Sequence, residues 1–419
     1  MNRKGSVVPA FFIVLHLSFK NCNESMISVE EAKSLIAAYS APVRSVRIDV
    51  AESAGYVLAE DVHSLIDMPP FPQSAMDGYA LGNGSKAAES KFRLIGEVAA
   101  GSPVQYDLNA GECVRIFTGA AVPESATAVV QQEWIERDGD VIILQREVAE
   151  MMHIRQKGEQ MKTGEVALEK GTLITPGTIG FLHMLGITSV NVYDKPKTTI
   201  LITGNELVEP GTELHHGQIY ESNSQMLISA LQREGTDSQS HRISDSLEET
   251  IETIGNAIDT NDLIIITGGI SVGDHDHVGT ALSELGVKQV FYKVAQKPGK
   301  PLFFGTKDGK AIFALPGNPA ASLTCFYEYV LPVLRKFYGR KDEVLPSFQL
   351  PLAEQNSIRP LGRAQFLKAM IQNGSVEILE GQSSAMLNTF ALANALVYVE
   401  ANCKPKSAGD LVEVHLLPS

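Results

Sequence analysis

Residues 262–277 read DLIIITGGISVGDHDH. Residues 263–266 form an unbroken apolar run, which is typical of a strand buried on both faces of a parallel sheet. Gly268 and Gly269 allow a turn that bulkier residues resist, and they let the backbone approach a ligand closely. Asp274 and Asp276 follow on the same loop, where two carboxylates suit a metal bound together with a phosphate group. Taken alone, the stretch is explained equally well as a solvated acidic loop.

Length and charge limit the class of protein. A chain of 419 residues is long for a single core and predicts about three domains. The 35 basic and 49 acidic residues give a net charge of −14, so nucleic acid and anionic membrane surfaces are poor partners. The four cysteines lie far apart without a CxxC pair, which indicates neither a zinc site nor a disulfide framework. A reducing, cytoplasmic location is therefore expected.

The first 25 residues are interpreted as a non-native or signal-like extension. Arg3 and Lys4 precede an apolar run at residues 7–19, as in a secretory signal, but no small-residue cleavage site follows. The run is too short to span a membrane, and no apolar run elsewhere in the sequence is long enough to do so. After Met26, Ser28 can cap a helix together with Glu31.

The order of predicted strands and helices along the chain indicates a multidomain α/β plus β protein. Strands and helices alternate after residue 195, which predicts a doubly wound α/β domain. Five short strands near the C-terminus predict a small β-barrel. The predicted boundaries are a mixed α/β linker domain at 26–66 and 155–195, a β-rich domain at 67–154, the α/β domain at 196–340 and the barrel at 345–419.

Two features of the β-rich region have local interpretations. Residues 114–123 and 126–133 are interpreted as two strands around a turn, with Thr118 at the end of the first strand. The pair Asp77-Gly78 is, by default, a turn.

Three loops are expected to meet at one edge of the α/β sheet. Residues 203–206, 268–276 and 315–319 each follow a predicted parallel strand, and ligands bind beyond the carboxyl ends of such strands. Carboxylates and lysines together suit a phosphorylated or oxyanionic substrate with a divalent metal, and the lysines should dominate anion binding. The charged side chains expected there are Glu206, Asp245, Asp274, Asp276, Lys297 and Lys300.

Several standard signatures are absent from the sequence. It contains no GxxxxGK[ST] phosphate loop, no GxGxxG fingerprint and no GxSxG nucleophile elbow. Ser271 has no evident histidine base, because His275 and His277 share its loop. Those histidines could ligate a metal with the aspartates, or they could be solvated loop residues. The residues alone therefore predict metal-assisted binding of an anionic ligand.

Five motifs make the sequence more specific. From about Met26 to the C-terminus the chain resembles the molybdopterin molybdenumtransferase family, which is related to the E domain of gephyrin. The motifs, in chain order, are SAMDGYA (74–80), TGNEL (203–207), TGGISVGDHDH (267–277), KPGKP (297–301) and LPGNP (315–319). The resemblance implies a homodimer of elongated, four-domain subunits, with each site between the α/β domain of one chain and the SAMDGYA domain of the other. It also implies the reaction of adenylylated molybdopterin with molybdate to give molybdenum cofactor and AMP, with Mg²⁺ as the divalent cation.

The resemblance also implies roles for individual residues. Asp77 and Thr118 would reach the site from the partner chain. Glu206, Asp274 and Asp276 would bind the metal, and Asp245 would help to handle the phosphoanhydride. Lys297 and Lys300 would hold molybdate or phosphate. The residues implied to bind substrate are Gly268, Gly269, Ser271, Gly273, Pro316, Gly317, Asn318, Pro319, Arg363 and Ser384.

The sequence departs from the family pattern at two positions. Gln160 stands where aspartate is usual, and Ala321 stands at a serine position, with Ser322 about 100° further around a helix. Two other functions are compatible with the same motifs. One is a gephyrin-like scaffold, and the other is a metal-dependent hydrolase of nucleotide pyrophosphates. Other proteins of molybdenum cofactor biosynthesis are possible partners.

Overall fold

The computed structural model describes residues 26–41, 44–243, 246–270 and 277–418. Its contacts divide the chain into two compact units. The first unit contains the N-terminal helix, Lys195–Phe337 and Lys341–Ser419, and the second unit contains Val43–Asp194 and Tyr338–Arg340. Among the described residues, no helix has the length and apolarity needed to cross a membrane.

The helices begin and end at residues that the local sequence explains. Ser28 accepts a hydrogen bond from the Glu31 amide at 3.0 Å, and Ser246 accepts one from the Glu249 amide at 3.2 Å, so both are N-caps. Within the described residues the helices are α1 (Val29–Ala38), α2 (Pro176–Met184), α3 (Asn223–Arg233), α4 (Leu247–Thr260), α5 (His277–Glu284), α6 (Pro319–Cys325), α7 (Leu331–Phe337) and α8 (Leu387–Leu392). A π-helical turn, Phe326–Val330, joins α6 to α7.

Strands occur in both units. Those of the second unit are β1 (Ser45–Asp49), β2 (Val62–His63), β3 (Gln73–Ser74), β4 (Gly78–Leu81), β5 (Lys91–Val98), β6 (Glu112–Ile116), β7 (Ala128–Gln131), β8 (Ile135–Asp138), β9 (Val141–Leu144), β10 (Ile154–Arg155), β11 (Val166–Leu168) and β12 (Ser189–Tyr193). Those of the first unit are β13 (Thr198–Ile202), β14 (Leu207–Val208), β15 (Ile219–Tyr220), β16 (Ser238–Arg242), β17 (Leu263–Thr267), β18 (Lys288–Tyr292), β19 (Gln296–Lys297), β20 (Phe303–Lys307), β21 (Lys310–Leu315), β22 (Ser347–Pro351), β23 (Ala364–Gln372), β24 (Ser375–Ile378), β25 (Ala395–Val399) and β26 (Leu411–Leu416).

The central sheet of the first unit has the order β16-β13-β17-β21-β20-β18. Its first four strands run parallel, and β20 and β18 add an antiparallel edge. Every residue of β17 is buried, as expected for a central strand of a parallel sheet. Ile264 and Ile266 pack with Ile254 of α4 and Leu282 of α5 in one core. The doubly wound α/β domain predicted from the sequence is confirmed.

The C-terminal part of the first unit is a second sheet, ordered β19-β23-β25-β26-β22, with β24 pairing β23. The five strands predicted here are present. The sixth, β19, comes from the KPGKP motif and pairs in parallel with the start of β23. The motif is therefore tied by backbone hydrogen bonds to the C-terminal sheet.

The main sheet of the second unit has the order β7-β4-β6-β5-β9-β8. The interpretation of residues 114–133 as two strands around one turn is incomplete, because β4 lies between β6 and β7 and pairs antiparallel with both. The interpretation of Asp77-Gly78 as a simple turn is also wrong, since Gly78 is the first residue of buried β4. Sequence-distant pairing thus outweighs the local turn preference. Two smaller pairs, β1 with β12 and β2 with β11, join residues 45–63 to residues 166–193.

Gly78→Ala is expected to lower the free energy of unfolding of the second unit by about 3 kcal/mol, the upper end of the cost of overpacking. A Cβ at this position would lie 1.8 Å from the Val130 carbonyl oxygen, so the sheet would have to open. Urea unfolding measures the change. The matched control is Gly180→Ala in α2, where a Cβ meets no heavy atom within 4 Å among the described residues. Because alanine favours helix, this variant should gain up to about 1 kcal/mol. Equal effects at the two positions would contradict the packing argument.

Candidate functional site

A cavity of about 790 Å³ opens at the carboxyl ends of β13, β17 and β21. The three loops that the sequence placed together all line it. This is where ligands bind in open α/β sheets. The residues that line the cavity include Thr203, Gly204, Glu206, Glu221, Asn223, Gly268, Gly269, His277, Pro301, Pro316, Gly317, Asn318, Pro319 and Ala385.

Gly268 and Gly269 bring the β17 loop against the β13 loop. Both have positive φ, +79° and +60°, which favours glycine. A Cβ at Gly268 would lie 2.8 Å from Thr203 Oγ1, and one at Gly269 would lie 2.7 Å from the same atom. The Gly268 amide also donates to the Leu315 carbonyl at 3.2 Å. The glycine pair therefore joins all three loops at the floor of the cavity.

Among the described residues two carboxylates line the cavity, and only Glu206 was predicted from the sequence. Glu206 is exposed, and its carboxylate lies over Gly204, where a Cβ would come within 2.8 Å of Oε2. Glu221 is only 5% exposed and accepts hydrogen bonds from the Ser224 amide at 3.0 Å and from the Ser224 hydroxyl. Its position just before α3, within ESNS, is the signal by which it could have been found.

Asn223 also lines the cavity and was not predicted from the sequence to be a site residue. Its Nδ2 donates to the Gly317 carbonyl at 2.8 Å, which fixes the LPGNP loop against α3. Its Oδ1 is buried and accepts no hydrogen bond from the described residues. The side chain thus both shapes the cavity wall and keeps one unused acceptor.

The C-terminal region contributes Ala385 to the same cavity, and the preceding Ser384 contacts the LPGNP loop. Asn318 Nδ2 donates to Ser384 Oγ at 3.1 Å, and the Ala321 amide donates to the Ser384 carbonyl at 3.2 Å. Ala385 follows on the cavity wall. Ser322 is fully buried and lies behind this surface. At the family's usual serine position, the contact with Ser384 is therefore made by the backbone of Ala321.

Lys297 lines a second, smaller cavity of about 260 Å³. Pro298, Arg359, Gln365 and Gln382 line it as well, and Arg359 was not singled out from the sequence. The two cavities have no lining residue in common, but two segments contribute to both. Pro301 and Ala385 line the large one, while Lys297 and Gln382, a few residues away on the same two segments, line the small one.

Two other basic residues of the predicted site lie apart from these walls. Among the described residues, Lys300 and Arg363 belong to the lining of neither cavity. Lys300 is exposed, and its carbonyl accepts from the Val294 amide at 3.0 Å. Arg363 is half-buried and lies directly before β23.

Asp77 and Thr118 belong to the second unit and contact one another. Asp77 Oδ1 accepts hydrogen bonds from the amide and from the hydroxyl of Thr118, each at 2.8 Å. The backbone hydrogen bond, followed by the hydroxyl and the nearby Arg115 charge, lowers the pKa of Asp77. Its carboxylate is therefore ionised at neutral pH and exposed to a ligand.

Part of the predicted site lies outside the described residues, namely Asp245, Ser271, Gly273, Asp274 and Asp276. Within the described ranges, no three histidine, cysteine or acidic residues cluster closely enough to hold a metal. The acidic residues that do line the large cavity, Glu206 and Glu221, offer the oxygen ligands that Mg²⁺ prefers. One or two carboxylates are a suitable set for Mg²⁺, since this ion keeps several waters and binds substrate phosphates. The donor chemistry thus fits the cation that the resemblance implies.

Comparison with known proteins covers nearly the whole chain. Residues 27–186 match the MoeA N-terminal region (domain I and II), residues 199–336 a probable molybdopterin binding domain, and residues 353–417 the MoeA C-terminal region (domain IV). The molybdopterin molybdenumtransferase of Haemophilus influenzae is 33% identical over 406 residues, covering 94% of this chain and all of that protein. The chain belongs to the molybdopterin molybdenumtransferase family.

Further relatives agree with this assignment. The molybdopterin molybdenumtransferase of Staphylococcus epidermidis is 32% identical over 402 residues, which is 94% of this chain and 96% of the relative. The crystal structure of the molybdopterin biosynthesis MoeA protein of Pyrococcus horikoshii has a TM-score of 0.81 at 29% identity and covers 94% of this chain and all of that one. The family resemblance and the fold class are confirmed. This molybdenumtransferase is accordingly a transferase of molybdenum cofactor biosynthesis.

Proposed function

We propose that this enzyme inserts molybdenum into adenylylated molybdopterin, consuming molybdate and releasing molybdenum cofactor and AMP. The supporting observation is the large cavity, in which TGNEL, TGGI and LPGNP converge. Its volume of about 790 Å³ lies within the range of small-molecule sites. All three loops fall within residues 199–336, which match a probable molybdopterin binding domain.

The two cavities suit the two substrates. The large cavity would hold the adenylylated pterin, with Glu206, Asn318 and the glycine pair shaping its walls. The small cavity would hold the oxyanion, because Lys297 and Arg359 both line it. The family resemblance also implies anion contacts from Lys300, Arg363 and Ser384, although these three residues line neither cavity in the described part of the chain. The segments 297–301 and 382–385 contribute to both cavities, which supports a role for the two cavities in one reaction.

The ligand supplies its own dithiolene sulfurs, so the chain need not offer a nucleophile. The residues of the protein position the two substrates and exclude water. Positioning removes much of the entropic barrier to the reaction between the substrates. Glu206, Asp274 and Asp276 would hold Mg²⁺, with Asp245 handling the phosphoanhydride. The cation would neutralise charge as AMP departs.

The decisive experiment is a release assay with the purified enzyme. AMP should appear only when molybdate and adenylylated molybdopterin are supplied together with Mg²⁺. Omission of each component in turn gives the controls. Rapid AMP release without molybdate would instead support a hydrolase of nucleotide pyrophosphates.

The proposal includes a cytoplasmic homodimer in which Asp77 and Thr118 serve the partner's cavity, as the resemblance implies. Subunits carrying Asp77→Asn and subunits carrying Lys297→Ala should each be inactive. The refolded equimolar mixture should recover about a quarter of the wild-type activity, because about half of its dimers are mixed and each mixed dimer has one intact site out of two. The measurement is insertion activity after unfolding and refolding the two variants together, with each variant refolded alone as control. If mixing restores nothing, Asp77 acts within its own chain, and full activity of Asp77→Asn refolded alone would remove Asp77 from the site.

A further inference from the structure

The segment that carries Lys297 lies on a buried polar cluster. Gln296, Cys325 and Tyr329 are all fully buried within the first unit. The Tyr329 hydroxyl donates to Gln296 Oε1, and Gln296 Nε2 donates to the Gly299 carbonyl at 3.2 Å and to Cys325 Sγ at 3.6 Å. Because tyrosine occupies the amide oxygen, the amide nitrogen is left to face the loop. The cluster therefore has one defined orientation.

Gly299 shows how closely the loop approaches this cluster. Its φ is +87°, and a Cβ there would lie 2.5 Å from Cys325 Sγ and 2.8 Å from Gln296 Nε2. On its other side the segment pairs with β23, where the Ala364 amide donates to the Ala295 carbonyl at 3.0 Å. KPGKP is thus fixed by backbone pairing at one side and by the Gln296 side chain at the other.

A π-helical turn supplies the tyrosine. Phe326–Val330 interrupts the helix between α6 and α7, and such turns often occur at functional sites. Tyr327, the neighbour in this turn, is half-buried and stacks on Phe390 with ring centroids 6.4 Å apart. Burial, reinforced by the charge of Glu328, raises the pKa of Tyr329 well above its usual range, so its hydroxyl remains a donor.

We propose that Tyr329 and Gln296 are positioning residues, which hold the KPGKP segment so that Lys297 faces the oxyanion in the small cavity. This inference rests on the proposed function, in which Lys297 binds molybdate. Without the tyrosine hydroxyl, the buried Gln296 oxygen lacks its donor and the amide can turn away from Gly299. The lysine then samples several positions, and oxyanion binding weakens while the pterin cavity keeps its own walls.

The test compares Tyr329→Phe with Tyr327→Phe, which removes the same atom from the same turn without touching Gln296. Tyr329→Phe should raise the KM for molybdate about ten-fold, the effect of losing one hydrogen bond in a buried network, and leave the KM for adenylylated molybdopterin unchanged. Tyr327→Phe should change neither constant. Equal molybdate KM values in the two variants would refute the positioning role, as would parallel increases in both KM values.

A second variant guards against a folding defect. Gln296→Met is of similar size and removes all three hydrogen bonds of the side-chain amide, those with Tyr329, Gly299 and Cys325. It should raise the molybdate KM by a similar factor, and the double variant with Tyr329→Phe should be no worse than Gln296→Met alone, since both remove one coupled unit. Independent, multiplying effects would overturn the proposal.

Calorimetric titration with molybdate alone separates this inference from the proposed function. If Lys297→Ala binds molybdate as tightly as the wild type, the oxyanion role of Lys297 is wrong. If Lys297→Ala loses binding while Tyr329→Phe retains the wild-type affinity, the oxyanion role stands and the positioning role is wrong. Weakened binding in both variants supports the two together.

Discussion

Lys297→Ala is expected to lower kcat/KM for molybdate by about 100-fold, since a hydrogen bond to a charged group contributes about 1.5–3 kcal/mol and each 1.4 kcal/mol is ten-fold. Lys297 and Arg359 both line the small cavity, and no described carboxylate lines it. An oxyanion there would lose one of two cationic contacts. Steady-state kinetics with varied molybdate at saturating adenylylated pterin measures the loss.

Two further variants test whether the loss is specific to the charge at Lys297. Lys341→Ala removes an exposed lysine that lines neither cavity, and it should leave kcat/KM unchanged. Lys297→Arg keeps the charge and should retain more activity than alanine, though less than the wild type, because the planar guanidinium has a different reach. Thermal unfolding should be nearly the same for all three, since Lys297 is exposed. Full activity in Lys297→Ala would remove the lysine from the site.

The convergence of the cavity loops could be predicted because it follows from local rules. An apolar run such as residues 263–266 indicates a buried parallel strand, and parallel strands place their exit loops at one edge. The paired glycines after β17 mark a turn that only they can adopt. Glu206 was predicted by the same reasoning, without knowledge of the partner strands, whereas Asn318 and Pro319 were named as site residues from the family resemblance.

Other parts of the site depend on contacts between distant segments, which local patterns do not encode. Gly78 resembles a turn residue, yet β6 and β7 flank it and leave no room for a side chain. The small cavity forms only because β19 pairs with β23, which brings Arg359 near Lys297. The apolar stripe of residues 323–338 indicates a continuous helix, and it does not reveal the π-helical turn at Phe326–Val330.

The π-helical turn Phe326–Val330 also contains Glu328, whose substitution is expected to have a large effect on stability. This carboxylate is 4% exposed, and it contacts Lys33 Nζ at 2.6 Å and His415 Nδ1 at 2.7 Å. The contacts join α1 to β26 of the C-terminal sheet. His415 Nε2 lies 3.0 Å from Glu413 Oε1, so both ring nitrogens face carboxylates, an arrangement that suits the imidazolium form.

Glu328→Gln is expected to lower the free energy of unfolding of the first unit by about 3 kcal/mol near pH 6, the lower end for loss of one partner from a buried pair. The lower end applies because the Lys33 side chain is 33% exposed and can turn toward water. His415 remains buried and keeps only Glu413 as its anionic partner. Urea unfolding of the wild type and the variant measures the difference. Glu413→Gln, at a side chain that is 40% exposed, is the control and should cost at most about 1 kcal/mol.

The pH dependence of this cluster follows from two opposite shifts. Burial alone would lower the pKa of His415, but the hydrogen bond and charge of Glu328 outweigh burial and raise that pKa above 6.5. The resulting stabilisation is fully present below pH 6.5 and is lost as the pH rises through the raised value. Burial alone would raise the pKa of Glu328, but Lys33 and His415 outweigh burial and lower that pKa below 4.5. Its stabilisation is present above pH 4.5 and is lost as the pH falls through the lowered value.

The difference in unfolding free energy between wild type and Glu328→Gln should therefore be largest between pH 4.5 and pH 6.5. This difference should become smaller above pH 6.5. A neutral His415 is stabilised less by the Glu328 carboxylate in the wild type, and it costs less to bury beside glutamine in the variant. Unfolding titrations from about pH 5 to pH 8 cover the upper boundary. A difference that stays constant across this range would show that Glu328 acts through Lys33 alone, and that His415 is neutral in the folded protein.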